Sequence, residues 1–402
     1  MPGTLEPTRT SRDREGAETL SPAPSRSRLV RVSFVIDDLS RAGTESQLLA
    51  LVRGLDRRAF APSLVLLNGE GEQSRSLEPA DCPILRLGVT KLFSVNALSA
   101  AKRLRAFWRE HRPDVAQIYF HDSAYFGVPV AKLCGVKHVV RVRNNLGYQQ
   151  TRKHRVMSRL IRPWVDGVLT NSELGREAIA AMDKMPAERV TVIENGVDLE
   201  RYCWSPSPLE GEGLGVRGYL TIGTVANLRP IKNIDGLMRA AVRVLDRFPN
   251  ARFEVAGDGE QRAELVKLHA ELGLGDRFVL HGSVADVPGF LRGVDVAVLP
   301  SHSEGMSNAV LEYMAAGKPV VATAVGANPK LLGGCGVLIP PNDEAALATA
   351  LCEMLSDPAA RTRFGTVARA KVEAEYSRPA MLRRFERFYC ELTSRDREGA
   401  VG

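Results

Sequence analysis

The chain is poor in the features that mark spanning, secreted or metal-built proteins. It has six cysteines in 402 residues, scattered from Cys82 to Cys390 with no CxxC pair. That spacing points to neither a disulfide framework nor a zinc site and fits a reducing cytosol. No stretch approaches the ~18 consecutive apolar residues of a membrane-spanning helix. Residues 1–28 are rich in Pro, Ser, Arg and Glu and hold no apolar signal core. Aromatic residues make up 6% of the chain, and they do not interleave with its basic stretches as nucleic-acid binding would ask. The first strand is not followed by GxGxxG, so a plain dinucleotide site is poorly supported. No DxD motif is placed to hold a metal.

What remains is globular: 44% hydrophobic and 25% charged residues, a length that suggests two or three domains. Twelve short apolar runs read as strands. They are Val32–Ile36, Ser63–Leu67, Val115–Phe120, His138–Val142, Val168–Thr170 and Val190–Ile193, then Tyr219–Val225, Arg252–Ala256, Phe278–Leu280, Val296–Leu299, Pro319–Thr323 and Gly336–Ile339. Several lack alternation, as expected of parallel strands buried on both faces. Helical spacing fills many gaps, as in Leu98–His111, Ile234–Phe248 and Gln261–Leu272. Alternation of strand and helix predicts an α/β chain of βαβ units in two parallel sheets.

The Ser-, Pro- and Gly-rich stretch Ser205–Gly218 reads as linker. The expected division is a disordered tail over 1–28, one domain over 29–198, a linker over 199–218, a second domain over 219–377 and a disordered tail over 395–402. A basic amphipathic helix over 378–394 is expected to pack back on the first domain. The octapeptide TSRDREGA occurs at Thr10–Ala17 and again at Thr393–Ala400; a period of almost the whole chain fits no packed repeat.

The most informative block is Asp295–Thr323, in which a strand ends at Pro300, a polar loop carries Glu304 and Gly305, and a helix runs from about Asn308. Ligands of open α/β sheets sit beyond the carboxyl ends of strands. A helix start there offers backbone N–H groups and a positive dipole end. Glu304 at the mouth and Glu312 one turn in could accept from the hydroxyls of two sugars. Arg229 and Lys232 follow the strand Tyr219–Val225, where two cations could neutralise a diphosphate; solvated loop charges are the plainer reading. The tight turn VAGDGE reads equally well as a ligand loop or an ordinary turn. In the first half, Gly43 follows the first strand and allows close backbone approach. His121 and Asp122 are expected to end the strand Val115–Phe120.

These residues, in this order, resemble the retaining glycosyltransferases of family 4. The matching text includes AGTESQLL, TNSELGREAI, GTVANLRPIKN, VAGDGE and LHGSVADVPGFLRGVDVAVLPSHSEGMSNAVLEYMAAGKPVVAT, over roughly residues 29–394. The resemblance implies the GT-B architecture of two facing Rossmann-like domains with an interdomain cleft, acceptor in the first and nucleotide-sugar donor in the second. Arg229 and Lys232 would hold the donor diphosphate, Glu312 the ribose, and Glu304 with the backbone of Gly305, Met306 and Ser307 the donor sugar. Gly43 would lie under the diphosphate, and His121 would touch the donor sugar and help orient the acceptor. It implies front-face attack with retention, the leaving phosphate helping to take the acceptor proton, and no metal or other cofactor. Two departures stand out: Ala42 replaces the first of a usual glycine pair, and LEGEGLGV interrupts the usual continuation past NGVD.

Charge is divided unevenly. Residues 29–198 carry 25 basic and 18 acidic side chains, whereas 219–375 carry 16 and 18. Basic clusters at Lys91 to Arg112 and Arg152 to Arg162 suit an anionic, lipid-linked acceptor and peripheral contact with the inner face of the cell membrane. A solvated basic face weighs equally. The expected activity is hexose or N-acetylhexosamine transfer to a glycan or lipid-linked acceptor in the cytoplasm, for cell-surface polysaccharide. A nucleotide-sugar 2-epimerase and a non-catalytic sugar-nucleotide binder are the alternatives.

Overall fold

A computed structural model describes residues 28–40, 42–92, 94–144, 151–203 and 218–398. Residues 1–27 of the tail expected over 1–28, most of the linker (204–217) and residues 399–402 lie outside the described residues, and the helix Arg378–Glu398 takes up the first four residues of the tail expected over 395–402. The first sheet contains β1 (Val30–Ile36), β2 (Phe60–Leu66), β3 (Ile84–Arg86), β4 (Val115–Tyr119), β5 (His138–Val142), β6 (Gly167–Thr170) and β7 (Val190–Val192), in the order β3-β2-β1-β4-β5-β6-β7. The second contains β8 (Leu220–Val225), β9 (Ala251–Ala256), β10 (Phe278–Gly282), β11 (Val296–Leu299), β12 (Val320–Thr323) and β13 (Val337–Ile339), in the order β10-β9-β8-β11-β12-β13. Every pairing between named strands is parallel.

The architecture is two Rossmann-like α/β units. Their central strands are apolar on both faces because helices cover both: Phe34, Val35 and Ile36 of β1 and Val296 to Leu299 of β11 are all fully buried. In each sheet the strand order reverses beside the first strand, between β1 and β4 and between β8 and β11. Chains diverge there and leave a crevice at the carboxyl ends.

Three local differences from the sequence reading have physical causes. Strand β3 was not foreseen, because it is a three-residue edge strand with no fully buried side chain. Strand β4 stops at Tyr119, and Phe120 adopts a left-handed backbone (φ 55°), so His121 opens the helix His121–Leu133 instead of closing a strand. Within the span assigned to linker, Leu199–Tyr202 forms a short 3-10 turn, and Tyr202 sinks into the core of the second unit.

The helix Arg378–Glu398 leaves the second unit and lies on the first. Tyr389 is fully buried there, its hydroxyl donating to Gln117 Oε1 at 2.7 Å and its ring 6.0 Å from that of Phe60. Gly54 is what lets this helix approach, since a Cβ at that position would lie 2.5 Å from Leu382. Among the described residues, no helix is long and apolar enough to cross a membrane.

Candidate active site

The residues singled out in the sequence lie just past the strands that flank the two switch points. Gly43 follows β1, His121 follows β4, Arg229 and Lys232 follow β8, and Glu304 to Ser307 follow β11. The two units touch there.

The helix Asn308–Ala315 supplies the contact. Ser307 caps it by accepting from Val310 N at 3.4 Å, and Gly317 (φ 65°) ends it in a left-handed turn. The Asn308 side chain donates to Gly43 O at 3.1 Å. It also accepts from Gln47 Nε2 at 3.1 Å and Asn195 Nδ2 at 2.8 Å. Asn308, Gln47 and Asn195 were not picked out from sequence, because amides carry no chemistry until their partners are seen. Gly43 is the first residue of the helix Gly43–Gly54, and a Cβ on it would fall 2.9 Å from Asn308 Nδ2. Its lack of a side chain thus serves this contact. Gly305 is equally constrained, since a Cβ there would lie 2.3 Å from the carbonyl oxygen of Asn144 in the first unit. Met306 is buried beneath the loop, with its Sδ accepting from Asn195 N at 3.2 Å.

The loops after β8 and β11 share a charge pair. Lys232 Nζ lies 2.6 Å from Glu304 Oε1, with the two side chains 22% and 10% exposed. Arg229 is exposed beside them, and its charge reaches across to Glu45 of the first unit, opposing the upward shift that burial imposes on that carboxyl. Glu312 lies apart from the pair. Burial pushes its carboxyl up to about 7, and Arg201 in the 3-10 turn is the charge that resists this. In VAGDGE the two glycines allow close backbone packing, because Cβ atoms at Gly257 and Gly259 would fall 1.9 and 2.6 Å from the carbonyl oxygens of Ala226 and Leu228.

The state of Glu312 predicts a stability profile. An unfolded glutamate titrates near 4.3, so folding favours the protonated form, and stability declines as pH rises toward about 7. Glu312→Gln abolishes that decline. Between about pH 5 and about pH 8 the variant should gain on the order of 2 kcal/mol over the parent, by urea denaturation. A constant difference across that range would reject the assignment.

On the first unit, the His121 ring stacks on that of His154, with centroids 4.7 Å apart and planes 15° apart. Burial first, then Arg141, lowers its titration to about 4, so it is neutral at physiological pH. Asp37, at the end of β1, accepts from Ser123 N at 2.9 Å and Ser123 Oγ at 2.5 Å, fixing the first turn of the helix that presents His121. Burial raises this carboxyl to about 6. Asp122 points to solvent one residue away from His121. Arg141, Arg143 and His154 gather around His121 although the sequence spreads them over strand and helix.

Two family models match in tandem: "Glycosyltransferase Family 4" over residues 41–201 and "Glycosyl transferases group 1" over 219–357. The chain is 28% identical over 309 residues to the 2-deoxystreptamine glucosyltransferase of Streptomyces kanamyceticus, covering 70% of this chain and 79% of that one. It is 27% identical over 265 residues to the UDP-Gal:alpha-D-GlcNAc-diphosphoundecaprenol alpha-1,3-galactosyltransferase of Escherichia coli, covering 62% and 68%. Its fold matches that of Anabaena Alr3699/HepE, solved with UDP and glucose, at a TM-score of 0.79 and 20% identity, covering 90% of this chain and all of that one. Two tandem matches, on two parallel-sheet units that meet at their switch points, settle the family: the chain belongs to the group 1, family 4 glycosyltransferases of GT-B fold.

Proposed function

We propose that the chain moves a hexose or N-acetylhexosamine from a nucleoside-diphosphate sugar to a glycan or lipid-linked acceptor, with retention, in cell-surface polysaccharide synthesis. The observation that carries this reading is the Lys232–Glu304 pair beside exposed Arg229, facing the start of helix Asn308–Ala315. Negative charge grows on the diphosphate as the sugar leaves. Arg229, one or two free donors of the Lys232 ammonium and the helix start meet it. Glu304 accepts from donor-sugar hydroxyls and Glu312 from the ribose. His121, held neutral, hydrogen-bonds the sugar and does not act as an acid. The proton of the attacking hydroxyl goes to an oxygen of the departing phosphate on the same face. The first unit receives the acceptor and the second the donor; the diphosphate-bearing acceptor in the E. coli relative's name and the UDP and glucose held by the Anabaena protein support these substrate classes.

Two cations take the place of a metal in this scheme, so transfer proceeds in EDTA. Incubating the purified chain in EDTA with a panel of nucleotide sugars and glycan or lipid-diphosphate acceptors should yield glycosylated product with the donor's anomeric configuration. Epimerised donor, or binding without turnover, would instead establish one of the alternatives; activity restored only by a divalent cation would remove the metal-free scheme.

Peripheral contact with an anionic membrane belongs to the same reading. Helix Arg152–Ile161 and the turn after it expose Val156, Leu160 and Trp164 (54%, 63% and 45%) among exposed Arg152, Lys153, Arg155 and Arg159. Apolar residues set in a basic face suit a headgroup layer. Co-sedimentation with anionic liposomes should be salt-sensitive and should fall several-fold in Leu160→Ser/Trp164→Ser; no binding at low salt would sink this part.

A further inference from the structure

Two buried cations on the first unit share one carboxylate. Arg141 and Arg143 lie two residues apart at the end of β5 and so project to the same side. Both are 4% exposed. Arg143 pairs with Asp183 at the end of helix Glu173–Asp183. Arg141 makes no ion pair among the described residues, and its Nε is buried without a hydrogen-bond partner. Residues 145–150, which follow directly, read NLGYQQ and contain no acid that could neutralise it. Burial lowers the guanidinium to about 10, which still leaves it charged at neutral pH. The Asp183 carboxylate, already paired with Arg143, is the charge that opposes this shift; the other neighbours are Tyr125, whose hydroxyl donates to the carbonyl of His154 at 3.0 Å, and the stacked rings of His121 and His154. Asp122, the nearest other acid on that helix, is exposed.

Two buried guanidiniums against the one carboxylate of Asp183 leave an excess of positive charge, which is costly, and the planar Arg141 fork is shaped for two oxygens of one anion. Asn144, three residues on from Arg141, holds its carbonyl against Gly305, the neighbour of Glu304. Arg141 thus lies on the strand that leads into the contact between the two units.

We propose that Arg141, supported by Arg143 and the His121–His154 stack, forms a subsite for an oxyanion carried by the acceptor, a phosphate or a carboxylate group. The inference rests on the transfer reading for the word acceptor, but the anion site itself can be tested without turnover. A phosphate or carboxylate bound there satisfies the Arg141 fork and fixes one end of the acceptor. It also reverses the local field, so the His121 ring becomes easier to protonate while the anion is present.

The test titrates the full-length protein with inorganic phosphate and follows the imidazole resonances of His121 and His154 by NMR. The expected result is a rise of at least one pH unit in the His121 midpoint at saturating phosphate. Phosphate affinity read at His121 should fall at least tenfold in Arg141→Gln, less in Arg141→Lys, and stay unchanged in Arg277→Gln, which removes an exposed cation of the second unit outside the site. The lysine variant keeps the test open if the glutamine variant does not fold. Glucose 1-phosphate and glucuronate, compared with glucose, then tell phosphate from carboxylate: at least one should bind tenfold tighter than glucose in the parent protein and lose that margin in Arg141→Gln. Equal phosphate affinity in parent and both Arg141 variants would overturn the proposal, as would loss of the His121 response in Arg277→Gln. Absence of glycosyl transfer with the phosphate response intact would count against the transfer reading alone.

Discussion

Lys232→Met is expected to lower kcat/KM by about 10²–10³-fold, the loss typical when one group that meets a developing anionic charge is removed. The side chain has two duties that can be separated. In the free protein it neutralises Glu304, which is 10% exposed and 2.6 Å away. Removing the ammonium leaves that carboxylate buried without a partner, at a cost of about 3 kcal/mol. Lys232→Met should therefore also melt earlier. The double variant Lys232→Met/Glu304→Gln removes both charges and should recover most of the stability with none of the activity. If activity returns with stability, Lys232 serves only to hold the loop, and its role toward the diphosphate is lost.

Gly305→Ala is expected to act through the distance between the units. The added Cβ would sit 2.3 Å from the Asn144 carbonyl and 3.2 Å from Asn171 Oδ1. Neither is the tip of a long side chain that could swing aside, so the second unit must retreat by about 1 Å, a displacement that can cost 100-fold in rate. The core of each unit is untouched. The variant should lose about 100-fold in transfer, keep its melting temperature within a few degrees, and bind free nucleotide diphosphate normally. Full activity would show that the chemistry does not need the units this close, and a collapse in melting temperature would show that the loop is needed for folding.

The fold was largely legible because its strands are buried on both faces. A run such as Val296–Leu299 between polar loops has no other stable use. The strand that escaped, Ile84–Arg86, is short, lies at the sheet edge and has no face to bury completely. Within the site, Arg229, Lys232 and Glu304 stand beyond apolar runs in the sequence, but the pairing of Lys232 with Glu304, 72 positions apart, is visible only in the structure. What could not be read depends on three-dimensional partners. Asn308 gains its importance from Gly43, Gln47 and Asn195, up to 265 positions away. His121 was noticed for its place after a strand, but its neutrality comes from burial and from Arg141. The left-handed Phe120 that turns His121 from strand end to helix start is a conformation that a bulky side chain gives no reason to expect.

The return of helix Arg378–Glu398 to the first unit bears on how the chain is made. Tyr389 fills the core under β1 and β4 and bonds Gln117, yet it is synthesised 197 positions after the last residue of β7. At the usual pace of translation that interval lasts roughly 10–40 s. Throughout it the first unit must persist with a tyrosine-sized gap in its interior and an uncovered apolar flank. The newborn chain thus passes through an incomplete half-molecule, open to chaperones and to sticking, that only nearly finished synthesis can close.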